Sequence, residues 1–106
     1  MKALDYHVLL ALSSGPLHGY AIKEAVASDS AGAETPRAGT LYRVIARLIT
    51  AGHVRETRPN GKAEPHPGLE RRYYGLTAIG RQALAGEALR LKSTAALAQR
   101  RLGEIR

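Results

Sequence analysis

The 106-residue sequence predicts a mainly α fold with a small β-hairpin: three short helices, the hairpin, then one long terminal helix. Three observations predict it. Apolar residues recur at helical spacing in separate stretches. Two short strand-like runs flank a polar segment, PNGKAEPHPGLE, that has no periodicity and holds three of the five prolines. From Thr77 to the end nothing breaks a helix strongly.

Helix one is expected over about residues 3–13, where Leu4, Val8, Leu9, Ala11 and Leu12 recur, and it stops at Ser13-Ser14-Gly15-Pro16. Helix two is expected over 17–28, with Tyr20, Ile22, Ala25 and Val26 apolar and Lys23, Glu24 and Ser28 towards water. The small polar stretch 29–34 is a loop. Helix three, 38–51, is the clearest: Leu41, Val44, Ile45, Leu48 and Ile49 form one stripe. Thr40, Arg43 and Arg47 follow at offsets of three and seven, so they share the opposite face. Gly52 ends this helix as a C′ glycine. Residues 53–58 and 71–76 make the strands, and Tyr73 and Tyr74 should alternate, one packed and one exposed. Thr77 is a natural N-cap. A helix from there to Arg106 would span about 45 Å. Within it Leu84, Ala88, Leu91, Ala95, Ala98, Leu102 and Ile105 alternate spacings of four and three, a heptad seam. The chain divides accordingly into 1–76, a compact domain, and 77–106, a terminal helix.

Composition narrows the function. There are 16 Lys and Arg against 9 Asp and Glu, giving a net charge of +7. Such a chain attracts polyanions, nucleic acid or an anionic membrane surface. The charge is not spread evenly. Residues 1–34 carry Lys2 and Lys23 against Asp5, Glu24, Asp29 and Glu34. Residues 35–62 carry Arg37, Arg43, Arg47, Arg55, Arg58 and Lys62 against Glu56 alone. No apolar run approaches a membrane span, so the sequence suggests a soluble, cytoplasmic protein, nucleoid-associated when bound to DNA. The absence of cysteine excludes disulfides, thiolate metal sites and a Cys nucleophile. His7, His18, His53 and His66 lack metal-ligand spacing and are expected to be satisfied or exposed. No nucleophile elbow, phosphate loop or dinucleotide fingerprint is present. No catalytic residue, metal or cofactor is expected, and the chain is not expected to be an enzyme.

Three helices with a basic third, followed by a hairpin, is the winged helix-turn-helix plan. In that plan the third helix enters the major groove of double-stranded DNA, which is wide enough to admit it. Arg43 and Arg47 would reach bases or phosphates. Arg37, Gly39, Thr40 and Tyr42 would meet phosphates at the helix start, where unpaired amides sit at the positive dipole end. Lys62, Arg71 and Arg72 would do so from the wing. A solvated amphipathic helix would show the same arginines; the basic hairpin that follows favours DNA. A charge-driven architectural binder is the competing class, and sequence preference separates the two. The long helix has little intramolecular surface to cover, so its seam, together with Leu4 and Val8 of helix one, is expected to form a homodimer. Such a dimer suits a pseudo-palindromic operator.

The segments LLALSSGPLHGYAIKE (9–24), GTLYRVIARLITAGHV (39–54) and RRYYGLTAIG (71–80) together resemble the PadR family of transcriptional regulators. The combination of HGY, GTLY, RLxxxG and YYxLTxxG is specific. The resemblance implies a winged helix-turn-helix homodimer, usually a repressor, of the short subgroup with one C-terminal dimerisation helix. It also implies release by a small molecule or other signal. In some members tryptophans stack on flat ligands near the dimer interface. This chain has no Trp, which leaves Tyr6 as the nearest aromatic candidate for a ligand contact.

Overall fold

The computed structural model describes residues 1–58 and 72–104. Helix α1 runs Ala3–Ala11 and continues as a 3₁₀ turn, Leu12–Ser14. Strand β1 is Leu17–His18, followed by α2, Gly19–Asp29, and α3, Ala38–Thr50. Strands β2, Val54–Thr57, and β3, Tyr73–Leu76, precede α4, Ala78–Glu104. The order is the expected one, and the mainly helical winged architecture holds.

The sheet differs from expectation. It has three antiparallel strands in the order β1-β3-β2, not two. Leu17 and His18, expected inside helix two, instead pair with Tyr74 and Tyr73. The helix starts two residues later because His18 takes extended backbone and accepts the Ala21 amide on Nδ1 at 3.2 Å, an N-cap. Strand β3 is therefore central, and both its tyrosines are buried. Tyr74 faces the core, while Tyr73 lies edge-on to the His18 ring, with centroids 5.5 Å apart. The expectation that one would be exposed fails because the added strand sets the His18 ring beside Tyr73 on the same face of the sheet. Tyr20 also departs from expectation: it is 63% exposed, not packed between helices.

The core is aliphatic. Val8, Leu9 and Leu12 from the first helix and its turn meet Ile22 and Val26 of α2, and Leu41, Ile45 and Leu48 of α3. Val54 and Tyr74 close it from the sheet. Burying each such side chain contributes about 1.5–3 kcal/mol.

Two glycines fix how the elements join. Gly52, with φ +81°, ends α3 in the left-handed region. Its amide donates to the Ile49 carbonyl and the His53 amide donates to that of Leu48, the Schellman pattern. At Gly80, a Cβ would lie 1.9 Å from the His53 carbonyl oxygen, so only glycine lets α4 dock on that turn. Thr77 completes the joint. Its hydroxyl donates to the Gly52 carbonyl and accepts the Gly80 amide at 3.0 Å, the expected N-cap. The first turns of α4 lie on the domain through Ala83 and Leu84. The helix then runs on, drawing the molecule out to 59 × 27 × 25 Å.

Candidate nucleic-acid interface

Helix α3 divides its residues sharply. Leu41, Val44, Ile45 and Leu48 are buried, which turns Gly39, Thr40, Tyr42, Arg43 and Arg47 outward together. Arg37 stands at the N-cap with extended backbone and no side-chain cap bond. The amides of the first turn therefore keep donors without a capping side chain, at the positive end of the helix dipole. Arg43 leans along the helix and donates from Nη2 to the Thr40 hydroxyl at 3.3 Å. This weak, exposed bond leaves the guanidinium free to turn towards a phosphate or base.

Arg47 is held differently. Its Nη2 donates to the Asp5 carboxylate of α1, an ion pair spanning 42 positions of sequence. The Asp5 side chain is largely covered, at 14% exposure, while that of Arg47 is half exposed. Arg47 thus shares the outer face of α3 as expected, but it ties α1 to α3 before any ligand arrives. Sequence spacing gave no signal of this partner.

Tyr42 is also partly committed. Its ring lies over the start of α2, where a Cβ on Gly19 would meet the phenol oxygen at 2.3 Å. The glycine of the HGY motif is thereby explained by close approach. The phenol of Tyr74 lies within electrostatic reach of Tyr42 and Glu56, and burial first, then these neighbours, raise its pKa above the usual tyrosine value. Tyr20, not foreseen as an outward residue, hydrogen-bonds Glu24, which raises its pKa. On the wing, Arg72 precedes β3 and lies 3.9 Å from Glu56, both well exposed. Lys62 and Arg71 fall outside the described residues.

The seam residues separate into three groups. Leu4 and Leu84 are half-buried against the protomer's own core, and Ala88 is half-buried beyond them. Leu91, Ala95, Ala98 and Leu102 are exposed along α4, Leu102 at 67%. Ile105 lies outside the described residues. Val8 is a correction: with 0% exposure it is enclosed in its own core and has no surface to offer a second chain. Tyr6 is half-buried and lies edge-on to His7. His7 and His53 are also a correction, because Nδ1 of each is buried with no hydrogen-bond partner. Among the described residues no group of His, Asp and Glu is placed to hold a metal, and no helix is long and apolar enough to cross a membrane.

The sequence profile of the transcriptional regulator PadR-like family matches residues 8–86. A curated relative, an uncharacterised 37.1 kDa protein in transposon TN4556 of Streptomyces fradiae, is 40% identical over 81 residues. That match covers 76% of this chain and 21% of the relative, so the chain spans about a fifth of that protein's length. A PadR family transcription regulator from a hypervirulent Clostridium difficile superposes with a TM-score of 0.76 at 21% identity, covering 95% of this chain and 99% of that one. Bacillus subtilis PadR, solved in complex with operator DNA, gives 0.66 at 24% identity, covering 82% of this chain and 47% of that one. At these identities the structural likenesses establish the fold.

Proposed function

The chain belongs to the PadR-like family of transcriptional regulators, a family of regulators and not of enzymes, and from that membership we propose that it is a sequence-specific binder of double-stranded DNA. The observation that carries this reading is the outer face of α3. An uncapped N-terminus, Gly39, Thr40 and Arg43 are exposed together on a helix whose other face is locked into the core. Such a helix is rigid enough to present donors to a groove, and the operator DNA bound by the Bacillus subtilis relative supports the assignment. Arg43 reads base edges or phosphates, and Arg37, Thr40 and Tyr42 hold the backbone at the helix start. Arg72, with Lys62 and Arg71, serves the wing.

Residues 1–76 form the DNA-binding unit and 77–106 the dimerisation helix. The homodimer buries Leu91, Ala95, Ala98 and Leu102 of α4 against the partner's, with Leu4 and Leu84 at the margin. It acts in the cytoplasm as a repressor of a pseudo-palindromic operator, released by a small-molecule or other signal.

Selection of bound DNA from a random pool, followed by gel shifts at physiological salt, tests the reading. The recovered site should bind about 10³-fold or more tightly than scrambled DNA. Equal affinity for both would replace the regulator with a charge-driven architectural binder.

A further inference from the structure

The register of the sheet sorts its side chains onto two faces. Val54 and Tyr74 point into the core shared with α3. Arg55, paired with Gly75, and Thr57, paired with Tyr73, therefore lie on the opposite face. On that face a cleft of about 360 Å³ opens between the base of the wing, the 3₁₀ turn after α1 and the first turns of α4. The volume suits a small metabolite.

Its lining is strongly basic. Arg55 and Arg58 enter from the wing and Arg81 from α4, and among the described residues no Asp or Glu lines it. Among the described residues none of these three arginines has an ion-pair partner; the ion pairs found there involve Arg47, Arg72 and Arg90. Among the described residues the Arg81 guanidinium is engaged only by a long bond of 3.5 Å to the Ser13 carbonyl. Three guanidinium groups around one concavity repel each other, and the fold brings them there from two segments far apart in sequence, β2 with the residue after it and α4. Gly75 forms part of the floor, where a Cβ would already press on Thr57 at 3.1 Å, so any side chain there would intrude on the cleft. The Ser14 residue at the rim adds a hydroxyl.

We propose that this cleft binds a small multivalent oxyanion, a di- or tricarboxylate or a phosphate, through Arg55, Arg58 and Arg81. Guanidinium forks match carboxylate and phosphate oxygens two at a time, and several converging forks select a compact polyanion over chloride. The site lies on the far side of the sheet from α3, so it is distinct from the recognition helix and does not rest on the DNA reading. Its three arginines join the wing to α4, so an occupant neutralises the repulsion between those two elements.

Isothermal titration calorimetry of the full chain with citrate and with inorganic phosphate, each against chloride at matched ionic strength, tests the proposal. One anion per chain should bind saturably. Which probe binds distinguishes a carboxylate site from a phosphate site. Arg81→Ala and Arg55→Ala should each weaken binding at least tenfold, and Lys2→Ala, at the opposite end of α1 from the cleft, should leave it unchanged. Ser14→Asp, which removes no arginine, should block it too. Melting curves without anion identify any variant that fails to fold, and the remaining variants then carry the test. The proposal is overturned if neither probe binds beyond the chloride control, or if the folded variants bind as well as the parent. It is equally overturned if Arg81→Ala weakens DNA binding as much as Arg43→Ala does, since the cleft would then seat a DNA phosphate.

Discussion

At the scale of single residues, the two arginines of α3 are not equivalent. Arg43 is restrained only by the Thr40 hydroxyl, whereas Arg47 is paired with the largely covered Asp5 carboxylate. Truncating Arg43 should therefore cost DNA affinity directly, by about 1–3 kcal/mol if it reads a base, with the fold intact. Arg47→Ala should show a smaller loss in DNA affinity and a measurable loss in melting temperature, because it leaves Asp5 without its partner. Gel shifts and melting curves of both variants check this, and equal losses with unchanged melting would remove the distinction. Tyr74 supplies a pH dependence. Its folded pKa lies above the unfolded value of about 10, so the native state favours the protonated phenol. That contribution is fully present below pH about 10 and is lost as pH rises from there through the raised folded pKa. Urea midpoints measured between neutral and strongly alkaline pH should fall for the parent, and fall less for Tyr74→Phe.

At the scale of elements, the joint between α3, β2 and α4 rests on Gly52, Thr77 and Gly80. Two glycines of α4 make a clean contrast. Gly80→Ala places a methyl against the His53 carbonyl and should cost about 3 kcal/mol, at the upper end of overpacking. Gly86→Ala meets nothing and should stabilise the helix by about 0.5–1 kcal/mol. Chemical denaturation of the two variants, with opposite signs expected, checks the joint. The long elements were legible in the sequence because periodicity and end signals agree, as in α3 with its Leu41–Leu48 stripe and Gly52 stop. Strand β1 was not legible: two residues cannot display an alternation, and Leu17 continues the apolar pattern of α2. The burial of both tyrosines follows from that strand and was lost with it. The exposure of the outer face of α3 is also legible in its helical spacing, whereas the Asp5–Arg47 pair and the Gly19–Tyr42 contact are not. Each depends on where a helix from elsewhere in the chain comes to rest, which no local pattern encodes.

At the scale of the whole molecule, a small domain carries a helix that leaves it. Leu91, Leu102 and the alanines between them face water in the single chain, and a surface of that kind is stabilised by a second copy. Leu91→Asp combined with Leu102→Asp should convert a dimer to a folded monomer, because neither residue belongs to the core of the domain. Light scattering gives the mass and circular dichroism the helicity; an undiminished dimer mass would move the interface elsewhere. Helix α4 is also a lever. Its far end lies about 36 Å of helical rise from the Gly80 joint, so a tilt of roughly 5° there sweeps the tip by about 3 Å. In the homodimer proposed above, tips clamped together would convert such angles into the distance between the two domains. In that assembly the stiffness of one glycine seated on one carbonyl would set how much variation in half-site spacing the pair can follow.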